Sequence, residues 1–145
     1  MEQFYKDLAF GQEGEKRVAT LLESRGATNI YFNQDKLYDL RYTTKEGVEE
    51  TMEVKTDRMF FKTGNVAIEI KSRGKPSGIA SSQATGWVYL LGEKMYHITT
   101  PDLRTRLEEL HKAGKLRKLW GGDNETSKLL LVPVALFTSW CLLLT

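Results

Sequence analysis

Three residues in the 145-residue chain carry types and a spacing that can do chemistry: Asp39 and, after thirteen intervening residues, Glu53 and Lys55 two apart. Two carboxylates brought together can hold a hard divalent cation such as Mg²⁺, which takes oxygen ligands and usually keeps several waters. Mn²⁺ suits the same ligands. Without a cation, repulsion between the carboxylates raises one of their pKa values. A lysine beside them offsets part of that repulsion and can contact a phosphate or orient an attacking water. The chemistry such a set fits is phosphodiester hydrolysis, with cation and lysine stabilising the charge that grows at phosphorus.

The elements that must position these residues are legible in outline. Leu37 to Thr44 and Glu49 to Thr56 read as strands joined by a turn at Lys45, Glu46 and Gly47. A three-residue loop with Gly47 left-handed sets Thr44 opposite Val48, and antiparallel pairing from there brings Asp39 opposite Glu53. Alternation puts Glu53 and Lys55 on one strand face and Met52 and Val54 on the other. Upstream, Phe4 to Arg25 reads as one helix or two consecutive ones, with Gly26 as its stop. Glu15 lies three, four and seven residues before Val18, Ala19 and Leu22, so its carboxylate projects on the apolar face. Two readings of Glu15 stand: a site carboxylate, or a stripe-edge residue near a helix start at Gly14 where the dipole favours it. Glu69 and Lys71 repeat the Glu-x-Lys spacing one strand later. Glu53 and Lys55 are preferred because the hairpin delivers them to Asp39, leaving Glu69 as an outer carboxylate or a solvated strand residue.

Asp39, the gap, and Glu53-Val54-Lys55 resemble the motif of PD-(D/E)XK nucleases, and GQEGEKRVATLLESRG resembles the first helix of archaeal-type Holliday-junction resolvases in that superfamily. The likeness spans residues 11–100. Tyr38 stands where the motif's name-giving proline would precede Asp39, a departure frequent in that family. The resemblance implies a restriction-endonuclease-like core, an α/β (α+β) fold with a mixed central β-sheet flanked by helices. It also implies a catalytic set of Glu15, Asp39, Glu53 and Lys55. Asp39, Glu53, the Val54 backbone carbonyl and, through water, Glu15 would then hold Mg²⁺. The implied activity is metal-dependent endonucleolytic cleavage of DNA, with branched DNA favoured, by a homodimer. A nicking, restriction-like or exonucleolytic enzyme on the same fold is the alternative, since fold does not fix substrate. A non-catalytic nucleic-acid-binding accessory protein is the alternative of another class. NVAIEIKSRGKPSGIASSQATGWVY resembles a segment of small phage-encoded proteins, which implies a phage origin and action in the host cytoplasm.

Charge is distributed as a nuclease would need it. Net charge is only +2. Residues 1–60 carry nine Lys and Arg against twelve Asp and Glu, and residues 61–145 carry twelve against seven, so an acidic half precedes a basic one. Lys71, Arg73 and Lys75 surround a Gly/Pro loop able to present cations and N–H groups to phosphates, and Gln83, expected on a short helix just beyond, is a further phosphate or water contact. The same loop also reads as a solvated turn with ordinary surface charges, and Gln83 as a turn cap. Arg104, Arg106, Lys112, Lys115, Arg117 and Lys118 read as the wet face of an amphipathic helix. His97 and His111 lack metal-ligand spacing and read as structural.

The remaining features bound the protein class. Apolar content of 41% and charged content of 28% are globular values, and the length suits one domain over residues 1–145. A single cysteine, Cys141, excludes an intrachain disulfide and, with two histidines, a zinc site of the usual ligand count, which fits a reducing cytoplasm. The first fifteen residues lack a signal peptide's apolar region. Further strands are expected at Asn29–Asn33, Asn65–Lys71, Trp87–Leu91 and Met95–Thr99, and a helix from an N-cap at Thr100 toward Lys112. Leu129 to Leu144 approaches the length of a membrane span but is interrupted by Pro133. It is read instead as a buried strand over LLLVPVALF with an apolar tail that packs on the core or a partner subunit.

Overall fold

The computed structural model describes residues 2–35, 37–121 and 126–144, with the side chains of residues 2–5 and 7 excepted. Helix α1 (Glu2–Ser24) leads into a meander of β1 (Thr28–Phe32), β2 (Leu40–Thr43) and β3 (Glu49–Thr56). The short helix α2 (Phe60–Thr63), strand β4 (Asn65–Ser72), the two-residue β5 (Lys75–Pro76) and a 3-10 turn at Gly78–Ala80 follow. Then come β6 (Gly86–Leu91), β7 (Lys94–Thr99), α3 (Thr100–Lys112), β8 (Arg117–Gly121), β9 (Ser127–Pro133), α4 (Val134–Trp140) and β10 (Leu142–Leu143).

The central sheet has six strands in the order β1-β2-β3-β6-β7-β10, all antiparallel except the β3–β6 pair. This is the mixed, helix-flanked α+β layer expected. A second sheet, β5-β4-β9-β8, was not foreseen. Parallel strands cannot be joined by a tight turn, so β3 reaches β6 by a long crossover, and that crossover carries β4, β5 and the 3-10 turn. The sequence of β6, GWVYLL, is buried throughout because both faces of this strand are covered. Val88 and Leu90 face α1 in a cluster with Val18, Leu40, Tyr42 and Met52. Trp87, Tyr89 and Leu91 face the other way, against Val66, Ile68, Leu130 and Val132 of the second sheet, Leu103 and Leu107 of α3, and Phe137 of α4.

Several expectations are corrected. Helix α1 is continuous, so Gly14 is interior and does not start a helix. It is buried where α1 crosses the sheet, and a Cβ there would lie 2.6 Å from Thr56 Oγ1 and 2.8 Å from Leu90 Cδ1. Strand β2 starts three residues later than the alternation suggests, because Asp35 Oδ1 accepts from the Leu37 N–H and organises a turn before it. The helix cap falls on Thr99, whose Oγ1 accepts from the Asp102 N–H, while Thr100 is turned inward to donate to the Ala84 carbonyl. Gln83 lies in a loop beyond the 3-10 turn, not on a helix. Arg117 and Lys118 belong to strand β8 and Lys115 to the loop before it; Arg106 and Lys112 do occupy the exposed face of α3, beside Glu109 and Glu108. Arg104 is bound to the Ile79 and Ser82 carbonyls. Pro133 ends β9 and Val134–Trp140 is helical, so LLLVPVALF is split between strand and helix; an apolar run has no periodicity to separate the two. No helix among the described residues is long and apolar enough to cross a membrane.

Gly14 sets one stability test. Alanine favours a helix interior by about 1 kcal/mol over glycine, so propensity alone predicts that Gly14→Ala stabilises. Overpacking typically costs about 1–3 kcal/mol and should win here, since Leu90 is fully buried and cannot withdraw. Thermal melts should show Gly14→Ala below wild type and Gly14→Val lower still.

Candidate active site

The β2–β3 hairpin forms in the register set by its loop. Thr44 N–H donates to the Val48 carbonyl at 2.7 Å, Gly47 N–H to the Thr44 carbonyl at 2.9 Å, and Gly47 is left-handed at φ 84°. Pairing runs Thr43 to Glu49 through Leu40 to Met52, so the next step brings Asp39 beside Glu53. Asp39 is tied on both sides by backbone: its N–H donates to the Met52 carbonyl at 3.0 Å and its carbonyl accepts from Asn33 N–H at 2.9 Å. Strand β2 ends there while β3 continues, and Asp39 Oδ2 takes the Val54 N–H at 2.7 Å. In a strand a residue's N–H and C=O point to the same edge, so the Val54 carbonyl is directed toward the Asp39 side of β3.

Glu53 is fixed from the opposite side. Ser82, buried and itself receiving the Ala84 N–H, donates its hydroxyl to Glu53 Oε1 at 3.3 Å. Glu15 comes from α1, the residue after the close contact at Gly14, and its carboxyl shares a hydrogen bond with Asp39. Burial first, then the Asp39 charge and the hydrogen bond with Asp39, raise Glu15 to about 7. The same causes in the same order raise Glu53 to about 8, against an opposing pull from Ser82 and Lys55. Glu15 and Glu53 thus tend to keep their protons beside Asp39, an arrangement that a cation relieves by replacing those protons. Asp39, Glu53 and the Val54 carbonyl fit a hard, oxygen-seeking ion. Among the described residues, no three acidic, histidine or cysteine side chains are disposed to hold an ion by themselves.

Asp39, Glu53 and Val54, but not Glu15, which stays behind Asp39 on the helix side, line a cleft of about 890 Å³ between the two sheets. Its walls include Asp39, Glu53, Val54 and Lys55 from the central sheet and Glu69, Arg73 and Lys75 from the β4–β5 hairpin. Glu69 therefore reaches the site from the second sheet, as an outer carboxylate. Lys71 and Gln83 are exposed and do not line the cleft. Ser77, Ser82 and Trp87 line it too and were not singled out from sequence. Trp87 pairs with Glu53 across the parallel β3–β6 step, a neighbour that local patterning cannot reveal. A smaller, mostly apolar cavity of about 230 Å³, lined by Leu22, Tyr42, Glu50, Met52 and His97 among others, lies on the α1 side of the sheet. There Tyr42 donates to Glu50 at 2.8 Å, and burial lowers the His97 pKa. His97 packs against Gly86, and His111 is exposed near the end of α3.

No family model, curated protein or solved structure matches the chain.

Raised carboxyl pKa values have a stability consequence with a definite sign. A folded state that holds Glu15 and Glu53 protonated up to about 7 and about 8 binds more protons than the unfolded chain above pH 4.5. The associated stability is fully present below pH 4.5 and is lost as pH rises through 7 and 8. In EDTA, urea midpoints should fall between pH 5 and pH 8, and Glu53→Gln should flatten much of that slope.

Proposed function

We propose that this chain is a metal-dependent nuclease of the PD-(D/E)XK type that hydrolyses DNA phosphodiesters. The observation that carries this reading is the hairpin register that sets Asp39 against Glu53, with Lys55 two residues on and the Val54 carbonyl at the same edge. Charge in the cleft supports it. Glu53, Asp39 and Glu69 are matched by Lys55, Arg73 and Lys75, so one added divalent cation tips the walls toward a polyanion.

The residues divide the work by place. Asp39, Glu53 and the Val54 carbonyl hold Mg²⁺ or Mn²⁺, and Glu15 steadies Asp39 from the helix side. The chemistry the ion supplies when bound is acidification of water and neutralisation of charge on the phosphate oxygens. Lys55 orients the attacking water or binds a non-bridging oxygen of the reacting phosphate. The water oxygen bonds to phosphorus as the bond to the departing sugar oxygen breaks, leaving a phosphate monoester and a hydroxyl. Arg73 and Lys75 hold the strand by its backbone. Branched DNA is the proposed substrate on the resemblance to resolvases, and a nicking or restriction-like activity on the same core is the second reading. A homodimer is proposed with it: Leu142 and Leu143, 63% and 48% exposed on edge strand β10, supply an apolar edge for a second copy.

A direct test incubates the protein with a four-way junction, plain duplex and single strands, in Mg²⁺ and in EDTA. Cleavage should require the ion. Asp39→Asn should abolish both cleavage and the Mg²⁺-induced rise in melting temperature. Lys55→Ala should keep that rise and lose roughly 10²-fold or more in kcat. Binding without cutting any substrate, together with undiminished metal affinity in Asp39→Asn, would sink the proposal.

The β4–β5 turn gives a second test. Arg73 and Gly74 are both left-handed, at φ 50° and 79°, in a two-residue turn that favours Asn-Gly. An arginine there carries a backbone cost of about 1–2 kcal/mol. Arg73→Asn should therefore raise the melting temperature while weakening DNA binding and reducing its log–log salt slope by about 1.

A further inference from the structure

Two hydrogen-bonding groups in the cleft wall have no partner among the described residues: the Trp87 indole N–H and the Ser77 hydroxyl. Trp87 is 4% exposed. Its indole nitrogen can only donate, and a buried donor nearly always finds an acceptor. The protein around the ring does not offer one. Trp87 stacks on Tyr89 at 5.9 Å, sits in the apolar cluster of Val66, Ile68 and Ile98, and contributes to the lining of the cleft. It also stands one strand from Glu53, on the same sheet face.

Ser77 is held as firmly. Its N–H donates to the Ile70 carbonyl at 3.0 Å, and the next residue, Gly78, is left-handed at φ 54°. A Cβ at Gly78 would fall 2.1 Å from the Glu69 carbonyl oxygen, so the turn is pressed against β4 and Ser77 is fixed at the cleft wall. Arg73 and Lys75 lie on the same hairpin, and Glu69 opposes them with one negative charge. An acceptor-rich anion satisfies donors and cations alike, which a neutral ligand does not.

Building on the nuclease reading, we propose that Trp87 and Ser77, with Arg73, form a subsite for a second phosphate, the one next to the reacting phosphate on the same strand. The substrate class narrows accordingly. The enzyme takes a polynucleotide strand, and an isolated diester lacks the group that this subsite grips.

The full-length protein is tested by ¹H–¹⁵N spectra of its three tryptophan indoles, Trp87, Trp120 and Trp140, with the Trp87 signal assigned by its loss in Trp87→Phe. The probe is a thymidine dinucleotide with a 5′-phosphate, added in EDTA and in Mg²⁺. The Trp87 proton should move downfield, and Trp140, half-buried beside Phe137 and outside the cleft lining, should stay. In kinetics on oligonucleotides, Ser77→Ala and Trp87→Phe should raise KM roughly tenfold at near-constant kcat, the scale of one hydrogen bond to a charged group. Hydrolysis of bis(p-nitrophenyl) phosphate, a diester with no second phosphate, should lose far less than the oligonucleotide reaction does. An unmoved Trp87 signal in both buffers, or equal losses on both substrates in Ser77→Ala, overturns the subsite. A moving signal without any DNA cleavage keeps phosphate binding at Trp87 but removes the nuclease reading and with it the place beside a reacting phosphate, so the two failures are distinguishable. Should Trp87→Phe fold poorly, Ser77→Ala and the wild-type titration still decide.

Discussion

A single backbone donor, the Val54 N–H, organises much of this molecule. Strand β3 outruns its neighbour β2 at Leu40, which leaves a ladder N–H at an inner edge with no strand to accept it. The Asp39 carboxylate accepts it at 2.7 Å. A hydrogen bond to a charged group contributes about 1.5–3 kcal/mol, so the carboxylate is anchored by the sheet itself. Everything acidic then gathers around Asp39, because Glu53 is opposite in register and Glu15 arrives from the helix behind. The elevated pKa values of Glu15 and Glu53 come first from burial and then from the anchored Asp39 charge beside them.

The crossover from β3 to β6 is the second constraint. It must leave the central sheet and return parallel, and the chain uses the excursion to build half of another sheet. The acidic strands belong to the first half of the sequence and the basic hairpin to the second. Folding puts the two halves on walls of one cleft, which converts a charge asymmetry along the chain into one across that cleft.

What the sequence made legible is local. The three-residue loop at Lys45–Gly47 determined a register, the register determined the Asp39–Glu53 pairing, and alternation determined the face of Lys55. Those steps need only turn chemistry and a period of two. Glu15 was legible as an acid on an apolar stripe, but two explanations fitted equally until the continuous helix removed the one that needed a start at Gly14. The nonlocal parts stayed hidden. Nothing in GWVYLL says which strand lies beside it, so Trp87 could not be placed next to Glu53. The second sheet depends on β4 meeting β9, more than fifty residues apart, and β8 was hidden among basic residues that equally suit a helix face. Pro133 was visible, yet uniformly apolar flanks conceal where strand becomes helix.

Gly14 and Glu15 are adjacent, and this couples two processes that are usually separate. The bare glycine lets α1 lie against Thr56 and Leu90, and the following residue hands its carboxyl to the acidic cluster. Whatever occupies that cluster therefore also fastens the helix to the sheet, and a helix that lifts away takes one carboxyl with it. Amide exchange along α1 and occupancy of the cluster become linked quantities: the helix opens less often when the site is filled, and the site fills more weakly when the helix is loosened.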